Sequence, residues 1–364
     1  MAKPTSYPRW SETSGGTPDA NITTPTSGQM DTGWTVGQKP VVSGYLNWFE
    51  WLTYKWISWF DSREDDLSKD LLRIQASNYK LETGSAGTGN LWAISSSPTG
   101  TIYVTTTGAG KIYSSTDLAN WTERLDTATV SMNDVAHNGS ALFCAVGTSQ
   151  LIYTSADGIT WTSRTSAITA TLRGVAYGNS MWVSIGGTNL AQSSPDGITW
   201  TSRTITISSC QKVIFANGLF VAVGGDGTNG LISTSPDGIT WTLRHTGAAA
   251  SVTYSDIAWN GTLFCATGSA VSACATSPDG ITWTDRTLPT TGLITLGAAP
   301  GMFLAGKNNT TGGIYSSFDG ITWTLRLIIG TGPTVDSLYF GPDLFIVAGA
   351  GTNDLYSSLR IPAT

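Results

Sequence analysis

Beyond Glu82 this chain of 364 residues holds a single glutamate, Glu123, and histidine occurs only twice, as His137 and His245. That is a poor supply of acid, base and ligand side chains. The four cysteines, Cys144, Cys210, Cys265 and Cys274, form no CxxC pair and, with so few histidines, match none of the usual zinc sets, so no metal or other cofactor is expected. Charge is scarce too: only 12% of residues are Asp, Glu, Lys or Arg, the formal net charge is −6, and Lys and Arg nowhere cluster. A nucleic-acid partner or an anionic membrane surface needs such a cluster, and neither is expected. No apolar run reaches the roughly 20 residues of a membrane span. The N-terminus lacks the charged-then-apolar order of a signal peptide, so if the protein leaves a cell it is expected to do so by another route, such as lysis.

Glycine, in contrast, is abundant, with 42 copies, and suits a turn-rich β fold. The dominant signal is repetition. Trp121, Trp161, Trp200, Trp241, Trp283 and Trp323 follow one another at intervals of 39 to 42 residues, a period that means blades or a solenoid. Each tryptophan closes a motif. Ser-Thr-Asp-Leu-Ala-Asn-Trp and Ser-Ala-Asp-Gly-Ile-Thr-Trp come first, then three copies of Ser-Pro-Asp-Gly-Ile-Thr-Trp and one Ser-Phe-Asp-Gly-Ile-Thr-Trp. Proline at 195, 236 and 278 presets φ for a turn, aspartate accepts hydrogen bonds from the turn amides, and glycine at 197, 238 and 280 permits positive φ. The tryptophan, one per unit, is expected between neighbouring units. Asp117, Asp157, Asp196, Asp237, Asp279 and Asp319 are therefore read as structural.

A β-hairpin precedes each motif. Seven such hairpins are counted, with inner strands beginning near Leu91, Asp134, Gly174, Val213, Asp256, Ile294 and Asp336, and with Asn-Gly at 138–139, 217–218 and 260–261 supplying tight turns. Cys144 and Cys265 share a hairpin slot with Val183, Val221, Leu304 and Ile346, so these thiols are expected to be buried small hydrophobes. The outermost strand, which opens on Trp-Thr-x-Arg, occurs only six times and is missing from the last unit. Closing a ring removes sheet edges. The segment from Lys80 to Thr88 is expected to supply the missing strand. The fold class expected is thus all-β, a seven-bladed β-propeller over 83–364.

Residues 1–82 share none of this period yet hold Trp10, Trp34, Trp48, Trp51, Trp56 and Trp59 of the chain's 15 tryptophans, a density that suggests burial against other chains. Residues 1–42, rich in Pro, Gly, Ser and Thr, read as an extended anchoring segment. Residues 43–82 read as a short α-helical stalk. Ile57, Phe60, Glu64, Leu67, Leu71, Ile74, Asn78 and Leu81 alternate steps of three and four, a heptad seam for oligomerisation, with a homotrimer the expected state. One amphipathic helix packed on the propeller is the alternative.

Two resemblances extend this reading. The six Asp motifs resemble the Asp-box of sialidase-like and sortilin-like propellers. The aromatic leader, with Pro8, Arg9 and Trp10, then Gly33, Trp34, Gly37 and Pro40, then Asn47 and Trp48, resembles the N-terminal region of tailed-bacteriophage fibre proteins. The second resemblance implies a virion location, anchorage to other virion proteins of the tail, neck or baseplate, and a propeller that presents a receptor-binding surface to a host glycan or protein. Its alternatives are an adaptor propeller holding another fibre, or a glycan-degrading hydrolase.

The hydrolase fares badly on residue supply. The Asp-box resemblance implies three arginines around a carboxylate, a tyrosine with a glutamate partner, and an aspartate. Arg124, Arg164, Arg203, Arg244, Arg286 and Arg326 all fall three residues after a motif tryptophan, which marks them as scaffold and leaves Arg173 and Arg360 as possible clamps. Asp134, Asp256 and Asp336 begin inner strands at equivalent places and are the carboxylates that could ring a channel mouth, as catalysts or as capping residues. No catalytic residue is assigned. Recognition is expected on the loops opposite the Asp motifs, which differ among the repeats, with Asp226, Asn229, Asn308, Asn309, Asn353 and Asp354 as candidate contacts.

Overall fold

The computed structural model describes Asn78–Lys80 and, short internal stretches apart, residues 91–357. The chain divides into two compact units, Met1–Lys69 and Asp70–Thr364, and every described residue belongs to the second. That unit is an all-β propeller.

Its strands form seven antiparallel sheets of four. Six are built from consecutive strands. Sheet 1 runs Leu91–Ser96, Tyr103–Thr107, Lys111–Ser115 and Thr122–Asp126; sheet 2 runs Met132–His137, Phe143–Gly147, Ile152–Ser155 and Thr162–Arg164. Sheet 3 holds Leu172–Gly178, Met181–Gly186, Leu190–Ser194 and Thr201–Thr204; sheet 4 holds Ser209–Ala216, Leu219–Gly225, Gly230–Ser235 and Thr242–Thr246. Sheet 5 holds Tyr254–Trp259, Phe264–Gly268, Ala273–Ser277 and Thr284–Thr287; sheet 6 holds Leu293–Ala299, Met302–Lys307, Thr311–Ser317 and Thr324–Thr331. Sheet 7 is composite. Thr334–Phe340, Phe345–Ala350 and Asp354–Ser357 are completed by Asn78–Lys80, paired in the register Asn78 with Tyr356 and Lys80 with Asp354. The inner strands touch in order from sheet 1 to sheet 7, and sheet 7 touches sheet 1.

The described strand that completes sheet 7 begins two residues before the expected Lys80 to Thr88 and includes Lys80; residues 81–88 lie outside the described residues. Asn78, assigned to the heptad seam, sits in a β-strand, where it pairs with Tyr356 and covers the otherwise open edge of Asp354–Ser357. The other seam residues and the anchoring residues lie outside the described residues.

Burial explains the sheet order. The second strands of sheets 2 and 5, Phe143–Gly147 and Phe264–Gly268, are buried at every residue, including Cys144 and Cys265. Cys144, Val146 and Ile152 of sheet 2 pack with Leu172, Trp182 and Trp200 of sheet 3, so each interface is a small core of its own. All four thiols are buried. Burial pushes that of Cys210 up to about 12.

The Asp motifs form one turn six times over. The carboxylate of Asp196 accepts from the amides of Ile198 and Thr199 at 2.8 and 2.9 Å, and Ser194 Oγ donates to it while accepting from Gly197 N. Asp157, Asp237, Asp279 and Asp319 accept from the same two amides of their own turns. Asp117 accepts from the backbone and side-chain amides of Asn120. The indole Nε1 of Trp200, Trp283 and Trp323 donates to the turn glycine's carbonyl, at 3.0 to 3.3 Å. Gly238 (φ +71°) shows why glycine is needed: a Cβ there meets Val183 of the neighbouring sheet.

Of the three Asn-Gly pairs only Asn217-Gly218, both at positive φ, makes a two-residue turn. Asn138 and Asn260 instead cap longer loops with their side-chain oxygens.

Candidate functional site

Every inner strand carries a β-bulge near its start. The register shifts fall between Leu91 and Ala93, Met132 and Asp134, Leu172 and Gly174, Cys210 and Lys212, Tyr254 and Asp256, Leu293 and Thr295, and Val335 and Ser337. The extra residues, Trp92, Asn133, Arg173, Gln211, Ser255, Ile294 and Asp336, all line one cavity of about 840 Å³. A bulge re-aims a side chain out of the pleat, and here it does so once per blade. These positions lie at the end of the channel where each second strand runs into the third, opposite the Asp turns. Trp92 lies over Gly108 of such a connection, where a Cβ stands 3.0 Å from the ring.

The bulges also correct the strand starts. Except in sheet 1, each inner strand begins one to four residues before the expected position, because a bulge breaks the apolar alternation that marks a strand. Asp336 is consequently not equivalent to Asp134 and Asp256. It is a bulge residue, and they follow theirs.

One residue further along the strands, charged side chains meet across the channel. Lys212 of sheet 4 places Nζ 2.8 Å from Asp134 Oδ1 of sheet 2, past sheet 3, which presents Gly174 at the matching place. Asp134 Oδ2 accepts from Val175 N of sheet 3 at 3.0 Å, and Asp256 of sheet 5 accepts from Ile257 N and, at 2.8 Å, from Leu296 N of sheet 6. The two carboxylates thus latch one blade to the next. Burial pushes Asp256 up to about 6, against the pull of Lys212 and the two amides. At Lys212 burial acts downward, and the charges of Asp134 and Asp256 outweigh it, so the ammonium is raised.

The motif arginines are occupied. Nε of Arg124, Arg164, Arg203, Arg244, Arg286 and Arg326 donates to a Ser or Thr hydroxyl of the adjacent third strand, at 2.7 to 3.1 Å. Arg173 differs: it is exposed, and Nη1 donates to Gln211 Oε1 at 3.3 Å. Arg360 lies outside the described residues.

The candidate loop contacts divide. Asp226 accepts from the amides of Thr228 and Asn229 and from the Asn229 side chain, so both groups build their own turn rather than reach outward. Those amides hold the Asp226 carboxyl below its ordinary range. Asn308 lines the cavity and donates to Asp336 at 3.2 Å. Asp354 is in a strand of sheet 7 and not in a loop, because its backbone pairs with that of Lys80. Asn309 and Asn353 lie outside the described residues. Trp92, Gln211 and Lys212 escaped sequence reasoning, although Lys212 is the only lysine between Lys111 and Lys307.

Stability should respond to pH in two opposed windows. Asp157, Asp196, Asp237, Asp279 and Asp319 all sit below their ordinary 3.8, through the turn amides first in four of them and against burial in Asp319. Their contribution is present above pH 3.8 and lost as pH falls through the lower folded values. Asp256 has the opposite sign: its contribution is lost as pH rises from 3.8 through about 6. Thermal melts should therefore rise slightly from about pH 6.5 to about 4 and drop steeply below it; a midpoint unchanged down to about pH 2 contradicts this.

Residues 194–330 match the family described as the DUF6242 beta propeller domain. No curated protein matches the chain. Among solved structures, "YCF48 bound to D1 peptide" is similar at 16% identity and a TM-score of 0.61, covering 77% of this chain and 95% of that one. YCF48 from Cyanidioschyzon merolae, at 18% identity and 0.59, covers 76% and 97%. Virginiamycin B lyase from Staphylococcus aureus, at 11% identity and 0.65, covers 78% and 97%. At these identities the likeness is one of fold.

Proposed function

We propose that this chain is a non-enzymatic bacteriophage virion protein, a tail fibre or related fibre, whose propeller binds a host-surface saccharide at the bulged end of its channel. The observation that carries the binding reading is internal to the chain. Scaffold slots repeat, with Asp, Trp and Arg returning in blade after blade, whereas the bulge slot holds a different residue in each of seven sheets. A position that only held the fold together would repeat as the others do. Trp92 offers an exposed aromatic ring, and Ser255 offers a hydroxyl of the kind that meets sugar hydroxyls.

The non-enzymatic part rests on occupancy: every oxygen of Asp134 and Asp256 is engaged by a backbone amide or by Lys212. The virion part rests on the aromatic leader, and trimerisation on the seam over 43–82. In this reading the Asp turns are Asp-boxes, and the seven sheets are a closed ring of six continuous blades and one composite blade. A second reading, an adaptor that holds another virion protein, draws on the similar propeller solved with a peptide bound.

The test applies the full chain to a panel of extracted bacterial surface polysaccharides. Retention on at least one, weakened about tenfold by Trp92→Ala, is expected, with no sugar released. Equal retention by the variant refutes the proposed end of the channel, and release of reducing sugar refutes the non-enzymatic reading.

A further inference from the structure

Within that reading, we infer that the channel mouth selects saccharides carrying a carboxylate, such as hexuronates, through Arg173. Seven arginines lie among the described strands, and six spend Nε on a hydroxyl of their own sheet, in one repeated slot. Arg173 stands apart from the six in three ways. A bulge turns it to the mouth, it is exposed, and its guanidinium makes one long bond to a neutral amide.

The mouth's other cation is not available in the same way. Lys212 lies one step deeper, bonded to Asp134 and facing Asp256. Of the two, the cation accessible to a ligand entering past the bulges is Arg173.

Trp92 and Arg173 are the two exposed members of the bulge set, and they stand two blades apart, with Asn133 on the blade between them. A pyranose lying on the indole with its carboxylate toward the guanidinium takes charge-assisted hydrogen bonds from a planar fork. Asn133 Nδ2 donates to Leu172 O, immediately before Arg173, at 2.6 Å, which ties the side chains of these two blades into one rim. A mouth ringed by all seven sheets suits a saccharide better than an extended peptide, which looks for a long groove.

Calorimetry on the full chain, titrated with galacturonate oligosaccharides and with the matched neutral galactose oligosaccharides, tests the inference. The acidic ligand should bind about tenfold more tightly, with a preference that shrinks as salt is raised. Arg173→Gln should erase the preference while leaving the melting midpoint unchanged, and Trp92→Ala should weaken both ligands alike. Equal affinity for the two ligands, or a preference that survives Arg173→Gln, overturns the inference and leaves the saccharide reading standing. Binding of neither ligand, or binding only of a peptide with a free C-terminal carboxylate, overturns both.

Discussion

Lys212→Met should lower the unfolding free energy by about 3 kcal/mol, and the melting midpoint by on the order of 10 °C. The side chain of Asp134 is 3% exposed and has two partners, Lys212 Nζ and Val175 N. Removing the ammonium strands a buried carboxylate beside a second one, Asp256. A buried pair broken on one side costs more than the pair itself contributes, because the remaining charge keeps its desolvation penalty. Lys212 keeps 31% of its side chain exposed, which sets the expected loss at the low end of the range for buried pairs. Two controls separate charge from packing. In Lys212→Met the midpoint deficit should narrow as pH falls from about 7 to about 5, since Asp256, which burial pushes up to about 6, takes a proton there and no longer repels the stranded carboxylate. Asp134→Asn added to Lys212→Met should recover much of the loss, because the amide oxygen still accepts from Val175 N. A deficit independent of pH, with no recovery in the double variant, assigns the effect to lost packing instead.

Deleting residues 1–82 should be far more damaging than deleting residues 1–69. The shorter deletion stops at the unit boundary, Lys69 and Asp70, and leaves Asn78–Lys80 in place. The longer one uncovers the backbone of Asp354–Ser357, and an open edge is both a lost ladder and a site for pairing with other chains. Sheet 7 stands between sheets 6 and 1, so its loosening is felt at two interfaces. The expected result is an unchanged midpoint for the shorter deletion, and for the longer one a drop on the order of 10 °C with aggregation during heating. Equal midpoints would show that the ring does not depend on its N-terminal strand.

The parts of this fold that were legible in the sequence are those in which local chemistry demands a residue type. The Asp turns need a short carboxylate to collect two amides, a glycine at positive φ and an aromatic to fill the interface, so Asp196, Gly197 and Trp200 announce themselves wherever they recur. The need for an outer strand on the last blade emerged from counting. The start of its donor was set two residues late because Asn78–Lys80 pairs with residues 354–356 of the chain, a partnership that no local pattern records.

The candidate site was less legible for the same reason. A bulge leaves no residue signature, so Trp92, Gln211 and Ile294 read as ordinary strand residues, and Asp336 was aligned with Asp134 and Asp256 one position out of register. Lys212 and Asp134 are 78 residues apart and meet only because the propeller brings their blades around one axis. Asp226 and Asn229 looked free in the sequence because an Asx turn and an open loop have the same composition. Arg173 was recognisable by subtraction, once the other arginines were seen to share a slot.

Recognition at the bulged end of the channel is tested most directly by a crystal structure of the full chain grown with a galacturonate oligosaccharide. The account predicts sugar density stacked on Trp92 with its carboxylate at Arg173, above the Lys212 and Asp134 pair. Ordered sugar on the opposite end, against the Asp turns, with the mouth empty would contradict it.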